Sequence, residues 1–377
     1  MLSIIIGADI VPVEKNIHIF ESGDAEKLVD KRLLEELKNA DYRVFNLEVP
    51  LTDELNPIKK CGPNLIAPVK TVNGIKALNP DLLTLANNHI MDQGEQGLYS
   101  TVKTLSENGI SYVGVGNTVY DAQKPYIADI NGKRVGFYAC CEHEFSVAEE
   151  KKPGANPYEP LDSFDHIEQL KQKCDYVIVL YHGGKEHYRY PSPYLRRVCE
   201  KMCGVGADLV VCQHTHCVGS MEYFGSSAAV YGQGNFHFNE CNNEFWNTAI
   251  LLKLSFDNGM KIEFIPLKQD GLGVSYGDEK TVEEFLERSE KIKQPGFIEN
   301  EYRKFAENMA QNYAMRIKPP SFLFRVINKL CGHRLKYKLS EKHMLSVRNI
   351  AECEAHRELI IKNIDQRTRT NGFKINI

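Results

Sequence analysis

Two histidines separated by one threonine, His214-Thr215-His216, are the residues of this chain best suited to chemistry. They follow a strongly apolar run at 207–213, which is typical of a buried strand. Because alternate residues of an extended chain lie on the same side, the two imidazoles are expected to face one cavity. Neutral imidazole is a common ligand of transition metals. The triplet therefore predicts a metal site at the end of this strand.

Four further polar positions also come directly after predicted β runs, namely Asp9, Glu48, Asn88 and His182. Taken singly, each has an ordinary structural explanation as a turn former or a solvated loop residue. Their recurrence at equivalent positions favours one shared site, because ligands in layered α/β folds collect at the carboxyl ends of strands. Carboxylate, amide and imidazole donors suit Mn, Fe, Zn or Mg. Six donors exceed what one zinc takes from protein, so the sequence predicts two divalent metal ions.

The elements that must position these residues alternate between strand and helix. Short β runs occur near 3–6, 43–48, 82–86, 134–140 and 175–180, and amphipathic helical patterns near 24–40, 95–108 and 193–202. Two long alternating strands are predicted near 246–256 and 261–267. This order predicts an α/β layered architecture with a mixed sheet.

The pattern changes beyond residue 270, where the chain is predicted to be helical and basic. Segment 316–342 carries eight Lys or Arg residues against one acid, Glu341. We therefore predict a main domain at 1–270 and a helical basic C-terminal extension at 271–377. The extension could rest on an anionic membrane as a peripheral contact. The alternative, which the sequence favours, is that it packs its apolar face on the main domain or on a second subunit, and the oligomeric state is left open.

The composition narrows the class of protein. A hydrophobic content of 42% and a charged content of 25% are those of a globular protein in water, and a net charge of −4 gives no signature of nucleic-acid binding. The sequence contains neither a signal-peptide pattern nor a run of about 20 apolar residues. Eleven cysteines without a disulfide framework indicate reduced thiols. We expect a cytoplasmic protein, at most peripheral to the inner face of the membrane, with no nucleic-acid partner.

The ordered motifs are Gly7-Ala8-Asp9-Ile10, Asn46-Leu47-Glu48, Ala86-Asn87-Asn88-His89, Asp92-Gln93-Gly94, Tyr181-His182-Gly183-Gly184-Lys185-Glu186, the stretch 206–216, and Tyr231-Gly232-Gln233-Gly234-Asn235-Phe236. Together, over about residues 3–240, they resemble the bacterial capsule-synthesis CapA family. That family is similar to calcineurin-like metallophosphoesterases. The resemblance implies an α/β fold with a calcineurin-like metallophosphoesterase-type mixed β-sandwich flanked by helices, here followed by the C-terminal helical extension.

The resemblance also implies a role for each matched residue. Asp9 would be a ligand of the first metal, Glu48 would stand at the bridging position, and Asn88 would be the amide ligand. His182 would bind the second metal, and the pair at 214 and 216 would complete the set. His89 would lie beside the scissile group as a catalytic residue and give a proton to the leaving oxygen.

One position departs from the phosphoesterase pattern. Those enzymes usually carry a histidine two residues after the first aspartate, where this chain has Val11. One metal would then be weakly held, absent, or completed by another side chain such as Glu142, His143 or Glu186.

The implied function is a metal-dependent hydrolase with a dinuclear phosphoesterase-type site that takes part in capsule, poly-γ-glutamate or exopolysaccharide biosynthesis. Its substrate would be an anionic polymer or a phosphorylated small molecule, bound by Lys185, Glu186, His187 and Asn235. One alternative is a non-catalytic assembly or export component that binds an anionic polymer and contacts the capsule machinery through 316–342. Another is a metal-dependent amide hydrolase that acts on such a polymer.

Overall fold

The computed structural model describes residues 2–238, 243–257, 259–317 and 321–331, with isolated positions between 340 and 351. For residues 308–317 it describes the backbone helix but not the side chains. Much of the basic segment 316–342 therefore lies outside the described residues. The chain divides into two compact units, Met1–Ile298 and Glu299–Ile377.

Along the described residues the strands are β1 Leu2–Ile10, β2 Tyr42–Leu47, β3 Leu82–Thr84, β4 Ser111–Val113, β5 Val115–Gly116, β6 Tyr126–Ile130, β7 Lys133–Cys141, β8 Gly154–Ala155, β9 Tyr176–His182, β10 Leu209–Gln213, β11 Met221–Phe224, β12 Ser227–Val230, β13 Asn235–His237, β14 Thr248–Phe256, β15 Met260–Asp270 and β16 Gly273–Tyr276. The helices are α1 Ile17–Ser22, α2 Ala25–Leu28, α3 Lys31–Asn39, α4 Val72–Ala77, α5 Gly94–Glu107, α6 Val119–Ala122, α7 Pro160–Lys171, α8 Pro193–Gly204, α9 Lys280–Lys291, α10 Phe297–Ile317 and α11 Phe322–Leu330.

Two mixed sheets dominate the first unit, beside a small two-stranded sheet of β5 and β8. The larger has the order β16-β15-β14-β1-β2-β3-β4, with β13 also paired to β1, and its strands β1 to β4 run parallel. The smaller has the order β11-β12-β10-β9-β7-β6, with β7, β9, β10 and β12 parallel. Strands β1, β9 and β10 are buried on both faces, which explains why they appear in the sequence as continuous apolar runs.

The two sheets face each other across one hydrophobic core. Along β7, Val135, Phe137 and Ala139 join the core shared with the larger sheet, whereas Tyr138 and Cys140 face a second core under α7 and α8. Successive side chains of β7 thus point to opposite faces of the strand, and each face is covered by one of the two cores. The predicted α/β class, a mixed β-sandwich flanked by helices, is confirmed.

The boundary between the units lies later than the sequence predicts. We placed it at 270/271, but β16 completes the edge of the larger sheet, and α9 contacts β11, β14 and β15. Phe285 of α9 is fully buried in the main core. These contacts join residues 271–298 to the first unit because their apolar side chains are buried against it.

The second unit, as far as it is described, is helical. Helix α11 begins at Ser321, whose side chain accepts a hydrogen bond from the backbone N–H of Phe324. Among the described residues, no helix combines the length and the apolar character needed to cross a bilayer.

Candidate metal centre

The predicted ligands converge where strand ends of the two sheets meet. Each is buried and lies at or just beyond the end of a strand: Asp9 in β1, Glu48 after β2, Asn88 after β3, His182 in β9, and His214 and His216 after β10. Parallel strands bring their carboxyl ends to the same edge of a sheet, which explains why residues so distant in the chain meet.

His182 lies at the middle of this cluster. Its Nε2 is 3.0 Å from Asn88 Oδ1 and 3.1 Å from Glu48 Oε1. Its ring centroid is 4.9 Å from that of His214. The imidazole of the smaller sheet thus contacts the carboxylate and the amide that the larger sheet supplies.

Glu48, His214 and His216 each offer one ligand atom, and these three atoms lie within 4.8 Å of one another. Among the described residues, Asp9 Oδ2, both oxygens of Glu48 and Nδ1 of His214 are buried without a hydrogen bond; Glu48 Oε1 approaches His182 only as an ion-pair contact. A buried polar atom left without a partner costs about 1–3 kcal/mol. A divalent cation would satisfy these atoms, so the donor set fits such an ion.

The backbone of the two histidines is not extended. Strand β10 ends at Gln213, and His214 and His216 have φ values of 89° and 51°, in the left-handed region. The two rings do come together, as expected, with ligand atoms within 4.8 Å of each other, but a turn and not strand alternation directs them. Non-glycine residues in this region cost about 1–3 kcal/mol each and cluster at functional sites.

Burial and mutual charge set the protonation of the cluster. Burial, and then the charge of Glu48, raise the pKa of Asp9 to about 6. Burial alone would raise the pKa of Glu48, but His182 and then His216 hold it well below its ordinary value. Burial opposes charge on His182, yet Glu48 raises its pKa; burial, and then His182, lower the pKa of His214 strongly. His214 is therefore neutral, as a metal ligand must be.

Asn46 belongs to the site and was missed as a site residue. Its Nδ2 donates to Asp9 Oδ1 at 2.8 Å and lies 3.3 Å from His182 Nδ1, while its Oδ1 accepts from Asn87 Nδ2 at 3.2 Å. A signal was present in the sequence, because Asn46 is two residues before Glu48 and shares its face of the extended chain.

His89 is held by a buried ion pair that the sequence did not reveal. Its Nδ1 lies 2.6 Å from Asp92 Oδ2, which also accepts the backbone N–H of Leu65. Lys60 pairs with Asp92 Oδ1, and its Nζ lies 3.2 Å from His89 Nδ1. The Lys60 and Asp92 side chains are 2% and 0% exposed. An ionised carboxylate only accepts and a lysine ammonium only donates, so the shorter contact with Asp92 places the His89 proton on Nδ1, the approach of Lys60 is then not a hydrogen bond, and Nε2 is left for other chemistry.

The predicted substrate-binding residues separate into two groups. Asn235 is fully buried, and its Oδ1 is 2.9 Å from His216 Nδ1. At this distance it is suited to orient the imidazole of His216. His187 lies at the rim, with its ring centroid 6.5 Å from that of His216. Lys185 and Glu186 are exposed on the loop that leads to it.

Val11, which stands where phosphoesterases usually carry a histidine, is buried in the main core. Of its three potential replacements, His143 and Glu186 are exposed. Glu142 is half-buried, accepts the backbone N–H of Gly184 at 2.9 Å, and has a pKa raised by burial. Of the three potential replacements, Glu142 is thus the one that is partly shielded from solvent, as the buried residues of the centre are.

The family match covers the part of the chain that carries these residues. Residues 3–240 match the model of a family described as bacterial capsule synthesis protein PGA_cap. The capsule biosynthesis protein CapA of Bacillus anthracis is 29% identical over 268 residues, which are 68% of this chain and 64% of that protein. The PGA biosynthesis protein CapA of Bacillus subtilis is 30% identical over 207 residues, 53% of this chain and 54% of that protein. The chain thus spans less than two thirds of either relative.

Solved structures with a similar arrangement are more distant. A phosphatase of Mycoplasma pneumoniae is 16% identical with a TM-score of 0.45, covering 75% of this chain and 96% of that one. A putative 5'-nucleotidase of Staphylococcus aureus is 14% identical with a TM-score of 0.43, covering 75% and 57%. The fold class rests on the sheets and helices described above.

Proposed function

Since the chain belongs to the bacterial capsule synthesis family PGA_cap, we propose that it is a metal-dependent hydrolase of the phosphoesterase type that takes part in capsule, poly-γ-glutamate or exopolysaccharide biosynthesis. One observation carries the proposal: three buried ligand atoms of Glu48, His214 and His216 lie within 4.8 Å of one another. Buried carboxylate oxygens of Asp9 and Glu48 beside them have no hydrogen bond among the described residues.

The ligand candidates fall into two sets that share one carboxylate. Glu48 with His216 and Asp9 would hold one divalent ion, and Glu48 with Asn88, His182 and His214 would hold the other. Bound cations supply Lewis acidity and water activated at neutral pH. Mn, Fe, Zn and Mg all accept this mixture of oxygen and nitrogen donors.

His89 is the proposed general acid. Asp92 accepts the Nδ1 proton, so a protonated His89 presents its other N–H at Nε2 to the leaving oxygen. The carboxylate of Asp92 orients the imidazole, and Lys60 in turn compensates the buried charge of Asp92. The His89 side chain is 12% exposed, so it is not sealed in the core.

A second candidate is hydrolysis of an amide bond in an acidic polymer. The name of the Bacillus subtilis relative, a PGA biosynthesis protein, favours it. The same residues would serve, because the cations they hold would polarise the carbonyl oxygen of an amide as they would a phosphoryl oxygen.

Metal content and hydrolysis of the full chain, purified without chelator, test the proposal. We expect bound Mn, Fe or Zn, and turnover of either a generic aryl phosphate or poly-γ-glutamate; which substrate is cleaved separates the two candidates. His216→Ala should lower both metal content and turnover, whereas His18→Ala, an exposed histidine on α1, should change neither. Absence of metal, no stabilisation by added Mn and no turnover of either substrate would refute the proposal and leave a non-catalytic binding role.

A further inference from the structure

His187 is anchored at the rim of the metal centre by its own backbone. Its N–H donates to the carbonyl of Thr215, the residue between the two histidines of the centre, at 2.8 Å. Its φ of 57° lies in the left-handed region, which is uncommon for residues other than glycine. The position of His187 is therefore coupled to the turn that carries His214 and His216.

The ring of His187 is also held. Trp246 Nε1 donates to His187 Nε2 at 2.8 Å. The ring stacks on Phe245, with centroids 5.2 Å apart and an interplanar angle of 15°, and the guanidinium of Arg189 lies over the same Phe245 ring at 4.8 Å. Trp246 is buried and packs on His216, with centroids 4.8 Å apart.

The contact with Trp246 determines which nitrogen of His187 carries the proton. An indole N–H can only donate, so Nε2 must accept through its lone pair, and a neutral imidazole then has its proton on Nδ1. Within the part of the chain that the structure describes, no acceptor for the Nδ1–H is present.

A neutral donor suits this place. A positive charge on His187 would repel His216 and any cation at the centre, whereas a neutral N–H adds no net charge. It can still donate to an oxygen that carries negative charge, and hydrogen bonds to charged groups are the stronger kind. The side chain of Arg189, beside the same aromatic ring, adds attraction for an anion.

We propose that His187 is a binding residue whose Nδ1–H donates to an anionic oxygen of a ligand at the metal centre, and that Trp246 is a positioning residue that keeps the proton on Nδ1. The oxygen belongs to a phosphoryl or a carboxylate group. This inference rests on the proposed function, because it requires that the metal centre binds the ligand.

The test combines imidazole ¹⁵N NMR with titration of inorganic phosphate, and separately of glutarate, into the Mg²⁺-loaded full chain. In the wild type we expect the Nδ1–H tautomer of His187. Trp246→Phe keeps an aromatic ring but removes the indole N–H, and should lose this preference. His187→Asn keeps an N–H near the position of Nδ1, whereas His187→Gln places its amide near Nε2.

We expect binding of at least one anion to weaken about tenfold in Trp246→Phe and His187→Gln and to stay within about twofold in His187→Asn. The anion that shows this pattern identifies the group. His18→Gln controls for the loss of a histidine, and the unfolding temperature of each variant controls for the strain of Gln in a left-handed backbone.

Two results would overturn the inference: an Nε2–H tautomer in the wild type, or equal anion affinity for the wild type and His187→Gln. Failure of the proposed function gives a different pattern. Anion binding with this variant dependence, but with no hydrolysis of any substrate, would refute the hydrolase and support the role of His187.

Discussion

Glu48 Oε1 lies 3.1 Å from His182 Nε2, and this contact joins the two sheets of the first unit at their strand ends. Glu48 follows β2 of the larger sheet, and His182 ends β9 of the smaller one. Both side chains are almost completely buried. The charge of the pair is therefore poorly screened by water, and replacement of either residue has consequences for metal binding.

Glu48→Gln should lower the affinity for divalent metal by more than about tenfold. The amide keeps the shape of the side chain but removes the negative charge and one anionic ligand oxygen that the cations would share. Isothermal titration with Mn²⁺ measures the change. An affinity equal to that of the wild type would show that Glu48 is not a ligand.

Metal affinity should rise with pH through about 6, the pKa to which burial and Glu48 raise Asp9. Below this pH the proton occupies the carboxylate and competes with the metal, whereas above it the carboxylate is free to bind. Binding should therefore release protons from Asp9 at and below about pH 6, and progressively fewer as the pH rises above it. Titration in buffers of different ionisation enthalpy measures the proton release. Asp9→Asn should flatten this part of the pH dependence, and an unchanged slope in that variant would contradict the assignment.

Lys60→Met should destabilise the fold by about 3–5 kcal/mol, because it leaves the carboxylate of Asp92 buried without its counter-ion. Asp92→Asn in the same chain should restore much of this free energy of unfolding, since both charges are then absent. Urea unfolding measures both changes. Turnover should stay low in the double variant because His89 has lost its carboxylate partner, and recovery of turnover would argue against the role of Asp92.

Gly7→Ala should cost about 1–3 kcal/mol, because the added methyl group would overlap the ring of Phe45 in the fully buried core. Phe45 packs on Phe236, with ring centroids 4.9 Å apart, so it has little space to move. Gly204→Ala is the matched control, since nothing lies within 4 Å of its added methyl group. Thermal unfolding of the two variants should differ clearly, and equal stability would contradict the packing described.

A chain ending at Ile298 should fold, whereas a chain ending at Asp270 should not. The shorter chain lacks β16 and α9 and exposes the part of the main core that Phe285 covers. Circular dichroism and urea unfolding of both truncations measure the difference. Cooperative unfolding of the shorter chain would favour the boundary that the sequence predicts.

Local sequence patterns were sufficient to predict which polar residues lie at most of the strand ends. A buried parallel strand is a short apolar run, and the polar residue at its end marks the edge of the sheet, so the strand-end positions of Asp9, Glu48, Asn88 and His182 follow from the sequence. The same local reasoning applies to Asn46, which lies two residues before Glu48 and on the same face of the extended chain. At His214 and His216 it identifies the residues but not their conformation, because left-handed backbone at non-glycine residues depends on tertiary contacts.

The sequence by itself determined the α/β class, the order of the strands along the chain and the types of side chain at their ends, since these depend on hydrophobic periodicity and on neighbours a few residues away. The tertiary structure decided which distant side chains meet. Lys60 reaches Asp92, and Trp246 reaches His187, only because packing of the sheets and loops brings them together. Such contacts leave no periodic trace, because a hydrogen bond or ion pair depends on proximity in space and is independent of separation along the chain.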